Sequence, residues 1–419
     1  MQRREFLKWV GAATALGGLP FSPAARASAQ KRVIVIGAGY AGATVAKYLR
    51  LWGADQIEVV LIEKNTSFIS CPLSNLVLGG SRNIGQLTFN YAGLDHYGVK
   101  RLYDPVASID ADKRRVVLED GEALPYDRLV IAPGVDFIYD QLPMLQGESE
   151  QEAIPHAWKA GPQTENLRRQ MEAMPDGGVF VLSIPKAPYR CPPGPYERVS
   201  QVAFYLKHNK PKSKVIVLDA NAEIVSKKGL FTKAWAELYP GLVEYRPNSQ
   251  VVEVDVASRT VKTEFETVKA DVLNVIPPQR AGIIAQQAGL ANVDKRWCEV
   301  DFLTYESRLA ANVHVIGDSV SSALPKSAHV ATSQAKVCAS AIVSLLQGEA
   351  PDPQPVFANT CYSYVSDKLA MHVANVYRYD SVKKMMLPAE GGGVSDKPSE
   401  QEGHYADYWA KNIWSDVLG

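Results

Sequence analysis

Short apolar, β-branched runs alternate with longer segments of mixed polarity along most of the chain. That is the pattern of parallel strands buried on both faces and joined by helices. The first run, Val33-Ile34-Val35-Ile36, leads directly into Gly37-Ala38-Gly39-Tyr40-Ala41-Gly42 and a helix expected over residues 41–51. Val59-Val60-Leu61-Ile62 forms the next strand and ends on Glu63. Further strands are expected at 116–118, 126–131, 179–183, 214–218, 271–276 and 313–316. Helices are expected at 196–208, from about 326 to 346, and at 405–418.

The glycine run fits G-x-G-x-x-G in the setting that gives the motif meaning, between a strand and a helix and about 20 residues before an acid. Gly37 permits the tight turn, Gly39 admits a pyrophosphate close to the backbone, and Gly42 lets helix and strand pack closely. The free N–H groups and positive dipole of the helix start then face the phosphates. Glu63 is placed to bind a ribose hydroxyl and disfavours a 2′-phosphate. FAD or NAD binding follows from this unit.

A second unit begins at 179–183, but its turn is different. Where a second glycine fingerprint would stand, the chain has Pro185-Lys186-Ala187-Pro188-Tyr189-Arg190-Cys191-Pro192-Pro193-Gly194-Pro195-Tyr196-Glu197. Prolines remove N–H donors and fix φ, so this loop makes a poor pyrophosphate cradle, and NAD(P)H is not expected as a substrate. Pro195 suits the first turn of the following helix. Pro351, Pro353 and Pro355 mark the start of a tail segment. Its last helix carries Tyr405, Tyr408, Trp409 and Trp414 without a basic face, which favours packing on the core or on a partner over a membrane surface.

Composition narrows the rest. With 419 residues, 46% of them hydrophobic, the chain can bury two or three cores. Lys+Arg and Asp+Glu both number 45, which gives no sign of nucleic-acid binding. Gln2-Arg3-Arg4-Glu5-Phe6-Leu7-Lys8, a short apolar run and Ala27-Ser28-Ala29 form a twin-arginine export signal over residues 1–29. The apolar run is too short to span a bilayer, and the periplasm is the expected location. An oxidising compartment permits disulfides among Cys71, Cys191, Cys298, Cys338 and Cys361. None has zinc spacing, so no metal site is expected.

Together these segments resemble the flavoprotein subunit of flavocytochrome c sulfide dehydrogenase, a relative of glutathione reductase and of sulfide:quinone oxidoreductase. The resemblance implies an α/β fold with two Rossmann-like domains of glutathione-reductase type and a C-terminal interface domain. The FAD-binding domain takes residues 30–145 and 285–350, the second Rossmann-like domain residues 146–284, and the C-terminal domain residues 351–419. Tyr126-Asp127-Arg128-Leu129-Val130-Ile131-Ala132-Pro133-Gly134 and Val313-His314-Val315-Ile316-Gly317-Asp318 resemble recurring segments of such flavoproteins, with Gly317 and Asp318 at the ribityl or pyrophosphate region of FAD. Ser70-Cys71-Pro72 resembles the family's thioether attachment point on the flavin. The contexts of Cys191 and Cys361 resemble those of its redox disulfide, with Glu197 a candidate acid or base. Sulfide is then the substrate and the haem of a separate c-type cytochrome subunit the acceptor. Arg190 and Arg198 near Cys191 are expected to lower a thiolate pKa. Read from the residues alone, Cys191 and Cys361 could equally be a structural staple and Glu197 a solvated acid. A quinone-linked sulfide oxidoreductase and a catalytically silent FAD-containing assembly subunit remain alternatives.

Overall fold

The computed structural model describes residues 30–419, so the export signal expected at 1–29 lies outside the described residues. Five parallel strands form the first sheet, in the order Val313–Val315, Arg128–Ile131, Lys31–Ile36, Ile57–Ile62, Lys100–Leu102. Val33, Ile34 and Val35 are fully buried in a core that the sheet shares with helices and with the antiparallel strands Val106–Asp110 and Arg115–Leu118. Ile36 lies opposite both Ile62 and Ile131, so Gly37, Glu63 and Ala132 leave the sheet side by side at its carboxyl edge. In open α/β sheets that edge is where ligands bind. Helix α1 (Tyr40–Gly53) returns over the sheet on an alanine-rich face of Ala41, Ala43, Val45 and Ala46.

The second sheet orders Val243–Arg246, Lys214–Asp219, Val179–Ile184 and Val272–Val275, again all parallel. Helix α2 (Gly194–Asn209) covers it with Val199, Val202, Ala203 and Leu206. Pro195 sits in its first turn, as the sequence predicts. The chain then returns to the first sheet and to helix α3 (Ala328–Gln347), which packs against α1.

Beyond residue 351, strands Val356–Tyr364 and Ala370–Asp380 pair antiparallel, and helix α4 (Glu400–Leu418) follows. α4 starts five residues before the expected position, because Ser399 caps it by accepting a hydrogen bond from the Glu402 N–H at 3.2 Å. This segment is built into the rest of the protein: Phe357, Tyr377 and Ile413 join the core around the first sheet, while Val365 and Met371 join that around the second. Of the two expected settings, the core or a partner, Trp409 and Trp414 take the core and face inward. Trp414 Nε1 donates to Ser70 Oγ at 3.0 Å and to the Tyr40 hydroxyl at 3.1 Å, and Trp409 packs beside His329 and Tyr362. A buried indole N–H needs an acceptor, and the turn after the second strand supplies it. Only Tyr405 and Tyr408 of the four aromatics are exposed.

Candidate functional site

The dinucleotide cradle forms where the first sheet ends. Gly37 has φ +92°, and a Cβ there would lie 2.5 Å from the Ala132 carbonyl oxygen. At Gly42 a Cβ would lie 1.7 Å from the Gly37 carbonyl oxygen, so the fingerprint turn exists only with glycine in both places. A Cβ on Gly39 would meet nothing within 4 Å, which leaves the backbone at the start of α1 open to an approaching group. Gly39 also caps α1 without a side-chain hydrogen bond, so donors of the first turn remain available to an anion. Glu63 closes the cradle, accepting from Ala38 N–H at 2.8 Å through one oxygen and from Asn65 through the other.

Gly317 and Asp318 enter from the other side. Gly317, at φ +78°, rests against Ala41 of α1 and donates its N–H to Gln334 Oε1 at 2.7 Å. The Asp318 carboxylate accepts no hydrogen bond from the described residues; it is held by charge alone, with burial raising its pKa against the pull of Arg190 and Lys326. A carboxylate so placed is suited to accept from a ligand hydroxyl. The open fingerprint turn and this acceptor together fit a bound dinucleotide.

Cys71 lies beside this cradle. Burial pushes its thiol up, but the Arg190 charge and hydrogen bonds from Ala160 N–H and the Arg190 guanidinium outweigh that and hold it below the ordinary thiol value. Arg190 is itself fixed by donating to the Trp158 carbonyl and, through its backbone N–H, to Gln279 Oε1 at 2.9 Å.

Two further cysteines meet from distant parts of the chain. Cys191 stands at φ +59°, a strained conformation for a residue with a Cβ, held by its N–H to the Lys326 carbonyl and its carbonyl to the Gly194 N–H, both 2.8 Å. A Cβ on Gly194 would lie 2.8 Å from Cys191 Sγ and equally close to the Trp158 ring, so this glycine makes room for the thiol. Cys361 lies mid-strand in Val356–Tyr364, and the two thiols are within hydrogen-bonding reach. All five cysteines are unbridged, and Cys298 and Cys338 are buried elsewhere in the first core.

Arg190 lowers a thiolate pKa as expected, that of Cys71 and to a lesser extent that of Cys191, whereas Arg198 is among the main influences on neither. Cys191 is pushed well up, first by its hydrogen bond to Cys361 and then by burial, with Arg190 a minor opposing influence. Cys361 is the lowered partner, through that same hydrogen bond and the nearby Lys227 charge. Arg198 turns away to Asn75 Oδ1, Asn274 Oδ1 and the carbonyls of His156 and Ala157, and stacks 4.9 Å above the Trp158 ring. Its role is to fasten residues 155–158 behind the Cys191 loop, and burial lowers its pKa to about 9. Glu197 is buried, not solvated. It accepts from Asn75 Nδ2 and from Tyr364 N–H, both 2.8 Å, and burial raises its pKa. Asn75, Trp158 and Lys227 were not singled out from the sequence. No motif marks them, because each arrives from a loop or short helix that only the tertiary fold brings here.

Comparison with known proteins follows this geometry. Three family models match parts of the chain: pyridine nucleotide-disulphide oxidoreductase over residues 31–171, the central part of the sulfide dehydrogenase [flavocytochrome c] flavoprotein chain over 164–277, and the flavocytochrome c sulphide dehydrogenase flavin-binding part over 353–418. The flavoprotein chain of this enzyme from Chlorobaculum thiosulfatiphilum is 51% identical over 47 residues, covering 96% of that sequence and 11% of this chain. The chain belongs to the flavocytochrome c sulfide dehydrogenase flavoprotein family. Membership identifies the cradle's dinucleotide as FAD. Mitochondrial sulfide:quinone oxidoreductase of Mus musculus is 21% identical over 341 residues, 76% of this chain and 72% of its own. The sulfide:quinone oxidoreductase structure from Aquifex aeolicus shares the fold with TM-score 0.76 at 18% identity, covering 93% of this chain and 91% of its own. The family's flavoproteins are thus allied in fold to these quinone-linked enzymes.

Proposed function

We propose that this chain is a periplasmic sulfide dehydrogenase, oxidising sulfide to elemental sulfur or polysulfide through a Cys191–Cys361 redox disulfide and FAD, with a c-type cytochrome as acceptor. The observation that carries it is the meeting of Cys191 and Cys361, 170 positions apart in sequence, beside the Arg190 and Cys71 edge of the FAD cradle. Both residues are half-buried.

In the oxidised enzyme, HS⁻ attacks one sulfur of the pair. A new S–S bond forms, the Cys191–Cys361 bond breaks, and the other cysteine leaves as a thiolate. The proton of the resulting persulfide passes to the Glu197 carboxylate, which burial inclines to hold one. FAD supplies a two-electron acceptor that can release electrons singly, as a haem requires. Cys71, held as a reactive thiol by Arg190, is the residue to which the flavin is joined as a thioether. The chain has no C-x-x-C-H of its own, so the haem belongs to another chain. The twin-arginine segment accounts for the location.

The test is anaerobic mixing with sulfide. The flavin should bleach and then reduce a c-type cytochrome faster than a short-chain quinone. Preferential quinone reduction would favour the second reading, sulfide:quinone oxidoreduction, which the Aquifex aeolicus likeness supports at the level of fold. Flavin that sulfide leaves oxidised would refute both. Among the described residues no helix is long and apolar enough to cross a membrane. Covalent attachment is checked separately: acid-precipitated protein should keep its yellow colour, and Cys71→Ser should release it.

A further inference from the structure

Lys227 precedes the helix Lys228–Leu238 at φ +55° and is 8% exposed. Its ammonium donates to the Cys361 carbonyl oxygen at 2.9 Å and to Ser363 Oγ at 2.8 Å. Both acceptors are neutral, and among the described residues Lys227 forms no ion pair with a carboxylate. A buried lysine of this kind is costly, because desolvation of the charge is repaid only by a nearby anion. The groups that favour its charged form are, in order, Cys361, Glu197, Cys191 and Glu402, while burial opposes it. Glu197 is spoken for by Asn75 and Tyr364, and Glu402 by His372 at 2.6 Å. The strongest of these influences is the Cys361 sulfur.

We infer that Lys227 is a positioning residue for the disulfide, fixing the strand at Cys361 and holding the negative charge that appears on Cys361 when its bond to Cys191 opens. This rests on the pairing proposed above. The step balances with either reductant. HS⁻ leaves a persulfide on Cys191 and a thiolate on Cys361, while a dithiol leaves thiols or thiolates on both and is itself oxidised to a disulfide. In each case Lys227 keeps its proton and supplies charge. Cys361 is faced by Cys191 from the proline-rich turn, by Lys227 from the turn before its helix and by Glu197 from α2; His329 of α3 accepts the neighbouring Thr360 N–H at 2.9 Å. Only Lys227 among these brings a positive charge to Cys361.

The experiment titrates Cys361 in the fully reduced holoprotein, by its rate of alkylation with iodoacetamide, resolved by peptide mass. In Lys227→Met the midpoint should rise by about one pH unit or more, the size expected for loss of a close opposite charge. Lys227→Arg should restore it. A purely structural lysine would lower the melting temperature in Lys227→Met and leave the Cys361 midpoint unchanged, which would overturn the inference. Because coupling between two sites is reciprocal, the same effect is visible from the lysine. In Cys361→Ser, lysine ¹⁵N resonances should show Lys227 losing its proton at lower pH than in the parent. An unmoved Lys227 titration there would overturn the inference even if Lys227→Met did not fold. Reduced thiols are measured throughout, so failure of the disulfide reading, seen as free Cys191 and Cys361 in the air-oxidised protein, is a separate outcome.

Discussion

The turn at residues 37–42 and the turn at residues 185–195 both leave a buried parallel strand and lead into a helix, yet the first presents open backbone and the second presents a thiol. In the first, Gly37 and Gly42 bring backbone so close that a Cβ on Gly42 would collide at 1.7 Å, while Gly39 stays open. In the second, prolines remove donors, Cys191 takes the left-handed conformation that a glycine would find easier, and Gly194 yields its side-chain space to sulfur. One supersecondary position thus serves phosphate recognition or sulfur chemistry depending on what the turn offers. The difference also explains why the second unit keeps its sheet: the strands specify the fold, and the turn specifies the ligand.

Changes confined to the second turn should therefore affect sulfide chemistry and spare FAD, and changes in the first should do the reverse. The largest effect is expected for Cys191→Ser and Cys361→Ser, whose flavin should be reduced by dithionite but by sulfide at least about a thousandfold more slowly, as for loss of a reacting group. Normal stopped-flow rates in both would leave the pair merely structural. Next is Gly42→Ala, which drives a methyl into the Gly37 carbonyl. A loss of about 3 kcal/mol and FAD-free or insoluble protein should follow, read by denaturant melts and flavin absorbance. Gly194→Ala is smaller and more discriminating. Its Cβ displaces the Cys191 thiol or Trp158, so FAD content should stay intact while sulfide reduction slows about a hundredfold, the usual result of misplacing a reacting group by an ångström.

The smallest effect concerns the support behind the second turn. His156 Nδ1 accepts the Trp158 N–H at 2.9 Å, and burial, with Arg198 nearby, lowers its pKa to about 3 from 6.5. A folded-state pKa below the unfolded one means that stability is fully present above pH 6.5 and is lost as pH falls towards 3. The slope is at most about 1.4 kcal/mol per pH unit. Relative to His156→Gln, the parent should lose melting temperature more steeply between pH 7 and pH 5; parallel curves would remove His156 from the account.

The contrast between the turns also shows what the sequence could reveal. The FAD cradle was legible because its information is local: strand, glycines, helix and acid follow one another within residues 31–63. The proline-rich turn was legible as a departure from that pattern. The start of α4 was missed although Ser399-Glu400-Gln401-Glu402 carries an S-x-x-E capping signal, because the polar first turn lacks the apolar and aromatic residues that mark the helix further on. The inward direction of Trp409 and Trp414 was hidden because an aromatic pattern cannot say whether a helix meets its own chain or another. Arg198 was misplaced for a related reason. Adjacency in sequence put it beside Cys191, but on α2 its side chain leaves in another direction and finds carbonyls of residues 156 and 157. Asn75 and Lys227 carried no local sign at all.

The docking of α4 on α1 bears on the order in which the protein is made. Lys47 donates to the carbonyls of Ser415 and Asp416, Tyr48 to the Asp416 carboxylate at 2.6 Å, and Trp414 reaches Tyr40 inside the fingerprint. Residues 40–48 emerge from a ribosome well before their partners, which lie 368 to 374 positions later. A nascent chain stopped at residue 399 would already contain both Rossmann-like units and every cysteine, but the helix that opens the FAD cradle would lack its outer support. The outer support of α1 is thereby completed only once the helix capped by Ser399 has been made.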